Sequence, residues 1–215
     1  MFIYGLFKLF LEVDLVIVIE GLIGVGKTTL GNILSKELKV PFYSELNNDF
    51  TLAVLDKFYK DKSRWAFPVQ INFLNERFKL IKGVFRTKGG ILDRSIYGDC
   101  VFASLLNCDG HISDEEYKIY IDLLDNMLEH SQRPSLLIYL DCSIDEVERR
   151  IKNRNRSFEM NIPRDYLEGL NKKYLKWYNE YSLSSKIKFS YDNINIFDEE
   201  DKNKVISLIR DKLVL

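Results

Sequence analysis

Glycines at positions 21, 24 and 26, followed directly by Lys27, Thr28 and Thr29, are the residues whose types and spacing most plainly name a chemistry. Glu20-Gly21-Leu22-Ile23-Gly24-Val25-Gly26-Lys27-Thr28-Thr29 reads G-x-x-x-x-G-K-[ST], the spacing of a phosphate-binding loop. Gly21, Gly24 and Gly26 let the backbone curl until its N–H groups face a polyphosphate, and the helix that starts at Thr28 and Thr29 adds positive potential at its N-terminus. Lys27 reaches the outer phosphates, and the Thr28 hydroxyl can ligate Mg²⁺. The alternative is a tight strand-to-helix turn, which has no need of Lys27.

Three further groupings carry possible chemistry. Asp93-Arg94-Ser95 follows a short apolar run. In an enzyme with a phosphate loop, a carboxylate there points at the metal and the transferring phosphate, and Arg94 beside it would hold phosphate charge. A surface Asp–Arg pair is the alternative. Arg150, Arg154 and Arg156 crowd a charged segment, with Lys152 among them. Arg150 and Arg154 are four apart and share a helix face, and arginine's planar fork matches phosphate oxygens. Such a segment is either a flap that drops onto a phosphoryl group or a solvated basic helix end. Gln70 and Arg77 are seven apart, nearly eclipsed on a helix. They line a pocket, where Gln70 would make two opposed hydrogen bonds to a base edge, or they mark an exposed face.

These residues need elements to hold them. Leu15–Ile19 is a β-branched run that reads as a buried parallel strand. Thr28–Leu38 follows as a helix, giving the strand–loop–helix context that the glycines require. Val40–Ser44 reads as a second strand ending at Glu45. Phe50–Tyr59 reads as a helix, and Trp65–Phe85 as a long one with Phe67, Ile71, Leu74, Phe78 and Ile81 at helical steps. Gly89-Gly90 breaks that helix before a third strand, Ile91–Asp93. Ser95–Leu106 and Ser113–His130 read as helices, the second opened by a Ser113/Glu116 capping box. Ser135–Leu140 is a fourth strand, and Ser143–Ile151 a helix boxed by Ser143 and Glu146. Asp165–Tyr181 is a helix, Ile194–Phe197 a fifth strand, and Glu200–Leu213 a closing helix. Strands alternating with helices predict an α/β fold: a five-stranded parallel sheet with helices on both faces and ligands at the carboxyl ends of the strands.

The 215 residues suffice for one well-cored domain, assigned to residues 15–215, with residues 1–14 as an extension that packs on the domain or is disordered. That extension is too charged for a membrane span and has no cleavage site of small residues. Apolar content of 46% and charged content of 29% are ordinary for a globular chain. A net charge of −1 gives no broad basic surface for nucleic acid. The cysteines at 100, 108 and 142 lack C-x-x-C spacing, which argues against zinc and disulfides and fits a reducing, cytoplasmic setting. Two histidines, both in polar contexts, argue against a histidine-based triad or metal site.

Taken together, four segments resemble the deoxynucleoside kinases, most closely the bacterial deoxyadenosine/deoxyguanosine kinases. They are Glu20 to Thr29; Tyr59 to Arg77, read Tyr-x₅-Trp-x-Phe-x₂-Gln-x₆-Arg; Asp93-Arg94-Ser95-Ile96-Tyr97; and Arg154-Asn155-Arg156-Ser157-Phe158-Glu159. The resemblance implies a P-loop nucleoside kinase fold with an arginine-rich lid, and a phosphotransfer from ATP or another triphosphate, with Mg²⁺, to the 5′-hydroxyl of a 2′-deoxynucleoside. It implies Glu45 as the base, Arg94 beside the hydroxyl and phosphate, and Asp93 with Thr28 at the metal. Tyr59 and Glu159 would hold the sugar 3′-hydroxyl, Gln70 the base, and Arg77 with Asp99 a polar cluster next to it. Phe102 would stack on the base, with Phe73 or Phe42 as alternatives. Arg150, Arg154 and Arg156 would close over the donor phosphates. Where the family often has Glu-Pro, this chain has Glu45-Leu46.

Thymidine-preferring members of the family tend to lose the charged pair kept here as Arg77 and Asp99, so the resemblance implies a deoxypurine substrate, with deoxycytidine possible and thymidine disfavoured. The resemblance implies a homodimer, to which the helix over 113–130 could contribute. The nearest alternative is a nucleoside monophosphate kinase of the thymidylate type, but Glu45, Tyr59 and Glu159 suit hydroxyls and repel a phosphate. A GTPase-type switch lacks its N-K-x-D motif here.

Overall fold

The computed structural model describes residues 15–46, 48–156, 159–160 and 162–213. The expectations placed on residues 1–14, and on Ser157 and Phe158 of the lid, fall outside that set.

Five parallel strands lie in the order β2-β3-β1-β4-β5. They are β1 (Leu15–Gly21), β2 (Phe42–Tyr43), β3 (Gly89–Asp93), β4 (Leu136–Asp141) and β5 (Ser185–Ser190). The β-branched run places β1 at the centre, where burial on both faces rewards an unbroken apolar strand. Alternation sends Ile17 and Ile19 to one face and Val16 and Val18 to the other. The first pair joins a core with Leu30, Leu34, Val147 and Ile151. The second joins Leu92, Leu137, Val84 and Tyr181. The doubly covered parallel sheet expected from the sequence is therefore present.

The helices are α1 (Lys27–Leu38), α2 (Asp49–Lys60), α3 (Lys62–Thr87), α4 (Cys100–Cys108), α5 (Asp114–Leu128), α6 (Ile144–Arg154), α7 (Arg164–Glu180) and α8 (Glu199–Leu213), with one 3₁₀ turn over Ile96–Gly98 between β3 and α4. α5 opens with the expected reciprocal capping box. At α6 only half of the box forms: Ser143 accepts from the Glu146 N–H, while the Glu146 carboxylate goes to Arg149 and Arg150. Leu74 and Ile81 of α3 pack with Ala103 of α4 and with Tyr120 and Leu124 of α5 in a third cluster.

The fifth strand is not where the apolar residues of Ile194–Phe197 place it. That segment is irregular, and Phe197 is 79% exposed. The strand is Ser185–Ser190, with a sequence that mixes Ile187 and Phe189 with lysines. As the edge of the sheet it has a neighbour on one side only. Lys186 Nζ donates to the carbonyls of Tyr178, Asn179 and Tyr181 at the end of α7, and Lys188 pairs with Asp141 at 3.2 Å. Charged side chains on an edge strand hide it from a hydrophobicity pattern and block further strand pairing. Gly89 and Gly90, read as a helix break, are the first residues of β3, opposite Leu15 and Val16.

Register sets the site. Ile19 pairs with Asp93 in β3, and Gly21 pairs with Leu140 in β4. The carboxyl end of β1, with its phosphate loop, therefore lies beside Asp93 and Arg94.

Candidate active site

The loop between β1 and α1 turns on Gly21, Gly24 and Gly26, at φ 141°, 80° and 108°, all in the region that disfavours other residues. Gly26 caps α1 without a side chain, and the first intrahelical bond, Leu30 N to Gly26 O, spans 3.0 Å. The N–H groups of that first turn have no partner within the helix and suit an anion. Lys27 folds back on its own loop, Nζ lying 2.7 Å from Leu22 O and 3.2 Å from Gly21 O. Burial and then the Arg94 charge bring its pKa down to about 7, against the pull of Asp93, Glu45 and Glu20.

Across from the loop, Thr28 Oγ1 donates to Asp93 Oδ2 at 2.5 Å, while Asp93 Oδ1 is buried with no partner. Burial raises the Asp93 pKa. A buried carboxylate oxygen left open beside a hydroxyl is what a hard, oxygen-seeking cation needs. No trio of His, Cys, Asp or Glu gathers to hold a metal among the described residues. The Thr28–Asp93 pair suits Mg²⁺, which binds through one or two protein oxygens plus substrate phosphates and water.

Arg94 adopts φ 70° immediately after β3, with its N–H bonded to Ile19 O at 3.0 Å. Its guanidinium lies over the rings of Phe102 and Tyr174, 4.8 and 5.5 Å from their centroids. Nε donates to Glu45 Oε2 at 3.0 Å and Nη1 donates to the Tyr174 hydroxyl. Glu45 also accepts from Arg77. Burial pushes the Glu45 pKa up, but the charges of Arg94, Arg77 and Lys27 prevail and leave it below the usual carboxylate value.

Arg77 and Gln70 project from α3, each only 4% exposed, into the same cavity. The near-eclipsed pair is thus an inward stripe and not an exposed face. Arg77 Nη1 donates to Asp99, whose other oxygen accepts from Tyr120 at 3.0 Å. Arg77 Nε is buried and unpartnered. Glu159 is buried and accepts from Arg154, and from Arg156 at 3.4 Å.

One cavity of about 340 Å³ joins these groups. Gly24, Gly26, Lys27, Thr28, Thr29 and Asp93 line it from the loop and the end of β3. Glu45, Tyr59, Gln70, Arg77, Arg94, Asp99, Phe102, Arg154, Arg156 and Glu159 line the remainder. Of the aromatic alternatives, Phe102 and Phe73 reach the cavity, whereas Phe42 packs against Gly31 of α1.

Gly21 and Arg150 stand apart from the other expected site residues. Gly21 lies behind the loop and lends its carbonyl to Lys27. Arg150 is fully engaged: Nε to Glu146 at 2.6 Å, Nη1 to Val25 O at 2.7 Å and Nη2 to Tyr191 O at 2.8 Å. It braces the phosphate loop from α6 and does not line the cavity with Arg154 and Arg156. The four-residue spacing is real, but three acceptors hold Arg150 on the loop side.

The sequence reading passed over Glu20, Tyr120, Tyr166 and Tyr174. Tyr166 lines the cavity, and the other three hold its charged groups. A lone carboxylate ending the apolar β1 was the available signal for Glu20, since a buried charge must be partnered. For the tyrosines it was their recurrence on buried helix faces, where each hydroxyl needs a partner.

Comparison with known proteins follows the same lines. The family model described as deoxynucleoside kinase matches residues 17–215. A deoxyguanosine kinase of Lactobacillus johnsonii is 36% identical over 209 residues, covering 92% of this chain and 92% of that kinase. A deoxyadenosine kinase of Lactobacillus acidophilus is 38% identical over 210 residues, 92% of this chain and 96% of its own length. A deoxyadenosine/deoxycytidine kinase of Bacillus subtilis is 33% identical over 91% of this chain and 94% of its own. Among solved structures, deoxyadenosine kinase from M. mycoides with bound dCTP superposes with a TM-score of 0.79 at 26% identity, covering 91% of this chain and 98% of that one. The same enzyme with bound dATP gives 0.78. From the family match and from relatives of this identity and coverage, the chain belongs to the deoxynucleoside kinase family.

Proposed function

We propose that this enzyme transfers the γ-phosphate of ATP to the 5′-hydroxyl of a 2′-deoxynucleoside, preferring deoxyadenosine and deoxyguanosine, accepting deoxycytidine and disfavouring thymidine. The observation that carries the reading is a single cavity lined both by a lysine-anchored anion cradle and by the carboxylates of Glu45 and Glu159. A donor polyphosphate suits the first. An uncharged acceptor agrees with Glu45 and Glu159, whose oxygens can accept from sugar hydroxyls when their arginines turn to the donor phosphates, and with the deoxynucleoside kinase relatives.

Each side chain then has a task. The N–H groups at the start of α1 and Lys27, swung away from its loop carbonyls, hold the donor phosphates. Arg154 and Arg156 neutralise them from the far side. Glu45 takes the 5′-hydroxyl proton as O5′ bonds to the γ-phosphorus and the bond to the ADP oxygen breaks. Arg94 moves its charge from Glu45 to the phosphoryl oxygens, an electrostatic stabilisation placed where charge develops. Tyr59 and Glu159 hold the 3′-hydroxyl, Gln70 the base edge, and Phe102 or Phe73 the base face. Thr28 and Asp93 would hold Mg²⁺, which when bound neutralises charge on the donor phosphates.

The preference for a deoxypurine is supported by the buried Arg77–Asp99 pair and by the named activities of the Lactobacillus relatives. A base that leaves such a buried polar group unmatched costs about 1–3 kcal/mol. A cytoplasmic setting agrees with the free thiols of Cys100, Cys108 and Cys142, and no helix among the described residues is long and apolar enough to cross a membrane. Pairing as a homodimer through α5 agrees with the 57% exposure of Ile119 on that helix.

A panel of the four deoxynucleosides and their monophosphates with labelled ATP tests this. Deoxyadenosine and deoxyguanosine should be turned over fastest and the monophosphates not at all. Comparable turnover of thymidine and deoxyadenosine would refute the base preference. Faster turnover of a monophosphate than of any nucleoside would refute the acceptor.

A further inference from the structure

Glu45 bonds two arginines, and each of them has a second, buried carboxylate. Arg77 has Asp99, to which it donates directly. Arg94 has Glu20, whose Oε2 lies 3.8 Å from Arg94 Nη1 and accepts from the Tyr174 hydroxyl at 3.4 Å, the same hydroxyl that accepts from Arg94. Glu20 is 0% exposed and lies one residue before the phosphate loop. Its Oε1 accepts from Ser95 N at 2.7 Å and Ser95 Oγ at 2.8 Å. Gly98 packs so close that a Cβ there would stand 2.6 Å from Oε1.

We propose that Glu20 is a positioning residue for phosphoryl transfer: its buried carboxylate is the standing counter-ion of Arg94, held directly and through Tyr174, so that Glu45 can release Arg94 and take a proton without stranding a buried cation. The proposal rests on the roles given above to Glu45 and Arg94. Burial raises the Glu20 pKa, while Arg94 and the Ser95 donors pull the other way, and each of its hydrogen-bond partners is a donor that favours the ionised form. Removing one partner from a buried ion pair leaves the other uncompensated. Protonation of Glu45 removes one of the two carboxylates beside Arg94, and Glu20 remains as its fixed counter-charge while the guanidinium turns to the phosphoryl oxygens. With Glu20 behind it, Arg94 stays paired through the reaction and stays packed on Phe102 and Tyr174. The bonds to Ser95 also fix the 93–95 turn against the end of β1, so one carboxylate sets where Asp93 and Arg94 stand relative to Lys27.

The test is Glu20→Gln, which keeps the shape and an acceptor for Ser95 while removing the charge. Steady-state kinetics should show kcat lower by about tenfold or more, with the KM for ATP within about twofold of the parent. The double variant Glu20→Gln/Arg94→Met should lose no more than Arg94→Met alone, because without the cation the carboxylate has nothing to compensate. An unchanged kcat, a change confined to the KM for ATP, or losses that multiply in the double variant each overturn the proposal. If Glu20→Gln does not fold, Tyr174→Phe deletes only the bridging hydroxyl. A fall in kcat at constant KM for ATP then supports the proposal, and an unchanged kcat overturns it. Parent enzyme in the same assay separates the two levels: a parent inactive on every deoxynucleoside sinks the kinase roles, whereas an active parent matched by an equally active variant sinks the Glu20 role alone.

Discussion

Arg94 donates Nε to Oε2 of Glu45 across 3.0 Å, so the proposed base and the proposed phosphate ligand neutralise one another before either meets a substrate. The pairing keeps Glu45 below the usual carboxylate pKa, hence ionised and ready to accept a proton at neutral pH. Glu45→Gln should lower kcat by about 10²–10⁴-fold, the usual worth of a general base. Donor binding, measured by fluorescence titration, should stay within about twofold of the parent. An unchanged kcat would move the base role, with Asp93 the next carboxylate in line.

Lys27 predicts a pH dependence. In the free enzyme its pKa is near 7, so it loses its charge as pH rises through that value. Bound phosphates raise that pKa again, because an adjacent anion favours the charged form. The value of kcat/KM for ATP should therefore fall as pH rises above about 7, with no matching limb in kcat. A Lys27→Ala variant should be inactive yet folded by circular dichroism.

Asp93 Oδ1 has no partner. Asp93→Asn should raise the Mg²⁺ concentration for half-maximal rate by about tenfold or more, while the KM for the deoxynucleoside changes little. Chelation with EDTA should stop turnover by the parent, and added Mg²⁺ should restore it.

Asp99 is 2% exposed and serves both Arg77 and Tyr120. Asp99→Ala leaves Arg77 with Glu45 alone and Tyr120 without an acceptor, and should cost about 1–3 kcal/mol of stability, read by chemical denaturation. The double variant Arg77→Met/Asp99→Ala removes both charges and should recover much of that loss, while the thymidine-to-deoxyadenosine ratio of kcat/KM rises. A double variant that still discriminates as the parent does would remove this pair from base selection.

Much of this architecture can be read from the chain because local chemistry leaves marks. The β-branched Leu15–Ile19, the glycines before Lys27 and the Asp93-Arg94-Ser95 turn each state their element and their place in it. The strand at Ser185–Ser190 leaves no such mark, since its lysines serve the end of α7 and Asp141, contacts set by the tertiary fold. Arg150 fails for a related reason. Its spacing from Arg154 is a property of one helix, but its partners Val25 and Tyr191 lie on other segments, which no spacing reveals. Glu20 is legible only in hindsight, as a charge that burial obliges to find donors.

Arg154 and Arg156 both spend a hydrogen bond on Glu159, which ties the cations expected at the donor to the carboxylate expected at the sugar. A triphosphate that draws the arginines away leaves Glu159 open to a ribose hydroxyl, and a sugar that engages Glu159 loosens both arginines. Linkage makes such an exchange reciprocal: whatever factor one substrate adds to the affinity of its companion is returned in full. Two ligands that never compete for an atom thus report on each other through a shared ion pair.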